Sequence, residues 1–325
     1  MKRKIVSIVL AVVLVFSMAV LAGCGQKNPA ENKVFNVGIC QADVHVALDA
    51  ATQGFKDALI EKLGEDAVVF DYQNAAGEST QCSTIVNNFV AKKVDLIMAN
   101  ATPALQAAYS ATNEIPVLGT SITEYGVALG IENFNGTVGG NVSGTSDLAP
   151  LTEQGDMILE LFPEAKNVGL LYCSAEPNSE YQVKVMEEFL TEKGVKATRY
   201  SFSDSNDVAA VTEKAASKSD VIYIPTDNKA ASCTETIKSV VVNRNVPVVA
   251  GEEGICSGCG VATLSISYYD LGYKTGEMAA EILSGESDIA TMPIAYAPAT
   301  KKYNKEICET LGLEIPEGYE AIEAA

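Results

Sequence analysis

"KVDLIMANATP" at residues 93–103 and "KSDVIYIPTDN" at residues 218–228 read as one phrase written twice. In each, a lysine and an acid lead into a short apolar run, and a polar cluster containing proline or threonine ends it. A run this short, closed by turn-forming residues, reads as a strand buried on both faces. The phrases lie 125 residues apart, from 93 to 218. Two further echoes flank them. "NVGIC" (36–40) returns as "NVGLLY" (167–172), and "EIPVLGTSI" (114–122) returns as "NVPVVAGEE" (245–253), each 131 residues on. Three echoes in one order at nearly one spacing imply two lobes of the same topology.

Between the strands lie helical patterns. "ALDAATQGFKDALIEKLG" (47–64) reads as an amphipathic helix stopped by Gly64, and "YYDLGYKTGEMAAEILSGE" (268–286) as another ending near Gly285. Strands are also expected at 67–73 and near 292–298. Strand alternating with helix predicts an α/β fold of two doubly wound parallel-sheet lobes. "NGTVGGNVSGTSD" (135–147), rich in Gly, Ser and Asn, is the expected hinge crossing. The division is therefore residues 34–140 plus about 267–290 for lobe 1, and 141–266 plus about 291–320 for lobe 2.

The N-terminus has its own logic. Lys2, Arg3 and Lys4 precede an uncharged run from Ile5 to Gly23, the layout of a signal peptide. Leu21-Ala22-Gly23-Cys24 resembles the bacterial lipoprotein signature, which implies diacylglycerol on Cys24 and cleavage before it. Residues 24–33 then read as a tether, and the protein is expected outside the cell membrane, lipid-anchored to its outer face. Removing 23 residues from 325 leaves 302, and taking three cations with them moves the formal charge from −19 to −22. So acidic a chain disfavours nucleic acid as a partner.

Seven cysteines remain of eight once Cys24 is set aside, an odd number for a disulfide framework. Cys256-Ser-Gly-Cys259 reads as a loop with either a disulfide or two free thiols. With a single histidine in the chain, zinc lacks ligands. No metal and no cofactor is expected. No Walker-type phosphate loop and no G-x-S-x-G elbow appears, so an enzyme is not the expected reading.

In an open parallel sheet, ligands bind beyond the carboxyl ends of the strands. Aligning the echoes sets Thr102 against Asp227 and Asn228, and Thr120 and Ser121 against Gly251 and Glu252. The second lobe adds Ser174, Asn178 and Ser179 from "CSAEPNSE" (173–180). Hydroxyls and amides on one side and carboxylates on the other suit a zwitterion, with its ammonium on Asp227 or Glu252. Glu252 and Glu253 are adjacent and would repel if both were ionised and buried, so one of the two is expected to face solvent. His45 falls in the first strand–helix loop, and Tyr125 and Tyr268 are candidates for the cleft mouth. Each Ser, Thr, Asp or Asn here equally suits a helix cap, worth about 1 kcal/mol.

"QNAAGESTQCSTIVNNFVAKKVDLIMANATPALQAA" (73–108), "YIPTDNKAAS" (223–232), "NVPVVAGEEG" (245–254) and "YYDLGYKTGEMAAEIL" (268–283) together resemble the substrate-binding lipoproteins of ABC transporters, in their tryptophan/tyrosine-type family with a type I periplasmic-binding fold. The resemblance spans about Val34 to Leu313. It implies a monomer that closes on a small solute and hands it to an ABC permease, with Thr102, Asp227, Asn228 and Glu252 at the family's binding positions. An aromatic or large apolar amino acid is the ligand this implies. Cys40, Gln41 and the Cys256–Cys259 segment depart from the family pattern and leave the ligand open. A purine nucleoside, a sugar, or a sensory role for the same receptor are the competing readings.

Overall fold

The computed structural model describes residues 33–315 and 317–322; the leader and Cys24 lie outside the described residues. The echoed phrases are strands. The first sheet contains β1 (Phe35–Gln41), β2 (Val68–Asn74), β3 (Leu96–Asn100), β4 (Val117–Ile122) and β5 (Val142–Ser146), with a short edge strand β11 (Ala295–Tyr296). Its order is β11-β5-β4-β3-β1-β2, with every neighbour parallel. The second sheet holds β6 (Asn167–Cys173), β7 (Lys196–Phe202), β8 (Val221–Ile224), β9 (Val248–Ala250) and β10 (Ala262–Ser265). They run β10-β9-β8-β6-β7, the same path as β5-β4-β3-β1-β2. Antiparallel β12 (Thr300–Tyr303) and then β13 (Glu320–Ala321) extend the second sheet beyond β10.

The duplication holds at the level of register. Val37 pairs with Leu96 in the first sheet, and Val168 with Val221 in the second. Those are the partners the 131- and 125-residue echoes connect. Consecutive strand residues face opposite sides. Leu96 and Met98 accordingly pack with Val37, Phe55 and Met278, while Ile97 and Ala99 pack with Phe89 and Leu105. Helices cover both faces, which is why these strands are apolar throughout rather than alternating.

The lobe boundaries differ from the sequence division at 140 and 290. Residues 142–146 form β5 and residues 295–296 form β11, and both lie in the first sheet. The glycine run is therefore not the crossing itself. Gly139 and Gly140 take positive φ in the turn that feeds β5. Gly144, at φ +144°, lets β5 approach β4 so closely that a Cβ there would run into the Gly119 carbonyl. Composition points to a hinge where the chain needs glycine for close packing. The crossing follows Ser146 instead.

Cys256 and Cys259 also differ from expectation. They sit in the helix Glu253–Cys259, not a loop, and both are buried free thiols. Cys40, Cys82, Cys173 and Cys308 are likewise buried and free, and Cys233 is half-buried and free. Burial drives both thiols of the helix well above the usual cysteine range, which leaves them inert.

Candidate ligand-binding site

The carboxyl ends of the two sheets converge on a narrow cavity of about 10 Å³, room for little more than one water-sized sphere. The first lobe brings His45 and Leu48 from beyond β1, Ser121 from β4, Thr123 just after it, and Asp147 from the end of β5. The second lobe brings Asn178 from beyond β6, Thr226, Asp227, Asn228 and Ala231 from beyond β8, and Glu252 from beyond β9. Tyr268 opens the helix Tyr268–Ser284 and closes the remaining side.

The second lobe's carboxylates are already engaged by backbone. Asp227 caps the short helix Asn228–Ala231: its Oδ1 accepts from Ala230 N at 2.7 Å and its Oδ2 from Cys173 N at 2.6 Å. Glu252 caps its helix by accepting from Gly254 N at 2.6 Å and from Ile255 N. Glu176 takes the amides of Asn228 (3.1 Å) and Lys229 (2.9 Å). The amide donors that open these two helices are thus consumed by the protein's own acids. Burial, reinforced by the Glu176 charge, pushes Asp227 up to about 7 against the pull of the Cys173 and Ala230 amides and the Ser179 hydroxyl. Burial likewise raises Glu252 to about 7, opposed by its two amide bonds.

Asp147 is different. Its amide is tied to the Ile122 carbonyl at 3.1 Å and its Oδ2 accepts from the Tyr268 hydroxyl at 2.8 Å. Its Oδ1 is buried without a hydrogen-bond partner. Burial raises this carboxyl to about 6, with the Tyr268 and Thr123 hydroxyls pulling the other way. Three more cavity atoms are buried and unpartnered: His45 Nδ1, Asn178 Oδ1 and Ser121 Oγ. A buried polar group without a partner is costly, so four around one cavity mark a place built to meet a polar ligand. Ser121 carries backbone strain as well, at φ +56° beside a register shift between Gly119 and Ile122.

The tautomer of His45 follows from the network. Asn228 Nδ2 donates to Glu176 at 2.7 Å, so Asn228 Oδ1 is an acceptor, and it faces His45 Nε2 at 3.3 Å. Nε2 therefore carries the proton and Nδ1 is an acceptor. Burial holds His45 below its usual pKa, against the hydrogen bond to Asn228 and the charges of Asp43, Glu176 and Asp49. The helix Val46–Leu63 that follows has no side-chain cap on its first turn.

Of the residues singled out by sequence, Ser121, Asn178, Asp227, Asn228 and Glu252 line this cavity, joined by His45 and Tyr268. Thr102 is buried at the start of the helix Thr102–Ala111 and does not line it. Ser179 stands behind Asp227 as its hydrogen-bond support. Ser174 is exposed and donates to the Phe202 carbonyl at 3.2 Å, away from the cavity. Tyr125 lies in the core of the first lobe, where its hydroxyl satisfies the Gly119 and Thr145 carbonyls at 3.1 and 3.0 Å. Glu253 is half-buried and pairs with Lys302 at 2.6 Å. Sequence reasoning missed Asp147 and Thr123, although both directly follow strands.

Polar side chains also meet across the lobes. Besides His45 and Asn228, Asp43 of the first lobe pairs with Lys229 of the second at 3.1 Å, with side chains 10% and 21% exposed. Two lobes of one topology, closed over a polar cavity where their strand ends face each other, define a two-lobed solute-binding protein. The family described as ABC transporter substrate binding protein matches residues 36–322, and the chain belongs to that family. It is 35% identical over 311 residues to the tyrosine-binding protein of Clostridioides difficile (strain R20291), covering 92% of this chain and 89% of that one. It is similar in structure to an ABC domain from Streptococcus pneumonia in complex with L-Trp, at TM-score 0.84 and 31% identity, over 89% of this chain and 100% of that one. A ligand-free, open substrate-binding protein with adhesive properties from Clostridium difficile matches at TM-score 0.69 and 35% identity, over 90% and 100%. The shape agrees better with the bound relative although the sequence agrees less. Binding proteins of ABC importers work outside the cytoplasm, and no helix among the described residues is long and apolar enough to cross a membrane.

Proposed function

We propose that this protein captures a free aromatic amino acid outside the cell and delivers it to an ABC permease. The observation that carries the reading is the unpartnered Oδ1 of Asp147, buried against a cavity walled by both lobes. A ligand ammonium placed there forms a charge-assisted hydrogen bond. The ligand carboxylate lies toward the Ser121 hydroxyl and the uncapped first turn of the helix Val46–Leu63, whose dipole favours an anion. Leu48, Ala231 and Tyr268 offer the apolar surface for the side chain. The ammonium contact thus moves from Asp227, whose oxygens hold backbone amides, to Asp147. The tyrosine-binding relative and the L-Trp-bound relative support the aromatic class. A ligand touching both lobes favours the closed form by its differential affinity.

Isothermal titration against amino acids, purine nucleosides and sugars tests the reading. Tyrosine or tryptophan should bind best; a nucleoside or sugar binding where no amino acid does would overturn it. The lipid anchor on Cys24 belongs to the same proposal. Cys24→Ala should leave ligand affinity unchanged and release the protein from the membrane fraction.

A further inference from the structure

The cavity's unmet hydrogen-bonding capacity is lopsided. Three of its four unpartnered buried atoms are acceptors: His45 Nδ1, Asn178 Oδ1 and Asp147 Oδ1. The fourth, the Ser121 hydroxyl, is the one donor among them. The lining contains three carboxylates, Asp147, Asp227 and Glu252, and no lysine or arginine among the described residues. The backbone amides that would receive an anion from the second lobe are bonded to Asp227, Glu252 and Glu176. In the first lobe the Ser121 hydroxyl and the helix Val46–Leu63, whose first turn has no side-chain cap, offer donors to a carboxylate. An ammonium group brings three N–H donors and a positive charge, which is what this set of acceptors lacks. A carboxylate brings a further acidic group into a space already lined by three carboxyl groups.

We infer that the site selects its ligand by the ammonium end, and that aromatic amines without a carboxylate form a second ligand class for this protein. The inference rests on the proposed amino-acid site and narrows which half of the zwitterion it reads. Removing the carboxylate from the ligand forfeits neutral donors and relieves repulsion. Removing the ammonium leaves the buried Asp147 Oδ1 without a partner, the more severe loss.

The test compares three ligands per side chain by titration calorimetry at pH 7.5: L-tyrosine, tyramine and 3-(4-hydroxyphenyl)propanoate, and likewise L-tryptophan, tryptamine and indole-3-propanoate. The amine should bind within about a hundredfold of the amino acid, and the deaminated acid should weaken by about a thousandfold or more. Asp147→Asn should abolish the amine's binding, with circular dichroism confirming that the variant is folded. Ser121→Ala should weaken the amino acid more than the amine, a readout that does not depend on the Asp147 variant. An acid that binds as tightly as the amine, or an amine that does not bind while the amino acid does, overturns the inference and leaves the amino-acid reading standing. If neither amino acid binds but an amine binds in an Asp147-dependent way, the amino-acid reading fails and the inference holds. Binding by none of the six overturns both.

Discussion

Asp147 has one oxygen on Tyr268 and one free, in a setting that raises its carboxyl to about 6. Asp147→Asn keeps the shape and removes the charge, so amino-acid affinity should fall by about a hundredfold or more, measured by calorimetry. The pH dependence has a definite sign. An ammonium binds the ionised carboxyl, so below about pH 6 a proton must leave first, and affinity should fall by up to about tenfold per pH unit. Stability of the ligand-free protein runs the other way. Asp147, Asp227 and Glu252 all have folded values raised above their ordinary ones, to about 6, 7 and 7. The native state therefore holds protons that the unfolded chain releases, and stability falls as pH rises from about 4 to about 7. The ligand-free melting temperature should be higher at pH 5.5 than at pH 8, an order that the strong net negative charge reinforces. A lower value at pH 5.5 would contradict these assignments. Asp227 and Glu252 were legible because they sit in echoed phrases, but a carboxylate after a strand looks the same whether it caps or binds. Asp147 stayed hidden because it follows a strand disguised as a glycine-rich crossing.

The helices Val46–Leu63 and Tyr268–Ser284 meet backbone to backbone. A Cβ on Gly272 would run into the Ala51 carbonyl, one on Gly54 into the Tyr269 carbonyl, and one on Gly276 would lie 2.5 Å from the Phe55 carbonyl. On the outer side, the Tyr269 hydroxyl donates to Asp57 at 2.9 Å and the Tyr273 hydroxyl to Glu61 at 2.7 Å. This seam positions both ends of the site: His45 precedes one helix and Tyr268 begins the other. Gly272→Val forces the helices apart and should cost about 3 kcal/mol or more. Urea unfolding should show this as a lower midpoint at unchanged slope; a midpoint within error of wild type would refute the close approach. Both helices were legible from their 3.6-residue pattern and their terminal glycines. The role of Gly272 and Gly276 was not legible, because it depends on a partner helix more than 200 residues earlier, which periodicity within one helix does not encode.

At the scale of the whole molecule, duplication was the most legible feature, because two lobes folding alike must repeat their buried strands. How the lobes hold one another was not, because it depends on side chains in loops that do not repeat. Asp43 and Lys229 face each other across the crevice at 3.1 Å, and Gly77, at φ +81°, leaves the room they need. Burial lowers the Lys229 pKa while the Asp43 charge and hydrogen bond raise it, with a net upward shift, so the lysine stays charged. The pair lies outside the ligand cavity's lining and exists only while the lobes are together. Its contribution is therefore to the closed population. A ligand that needs the closed form binds with an apparent Kd equal to its intrinsic Kd divided by the fraction closed. Lys229→Met removes the cation and leaves Asp43 without its partner, which favours opening. Apparent affinity should drop by about five- to twentyfold although the cavity lining is untouched, and dissociation should quicken in stopped-flow traces. Small-angle scattering of the ligand-free variant should show a larger radius of gyration than wild type, and saturating ligand should restore the compact profile. Lys218→Met, at an exposed position, should change none of these. If Lys229→Met binds as tightly as wild type and scatters identically, the ion pair is incidental to closure, which then rests on the remaining contacts between the lobes, the His45–Asn228 hydrogen bond at 3.3 Å among them.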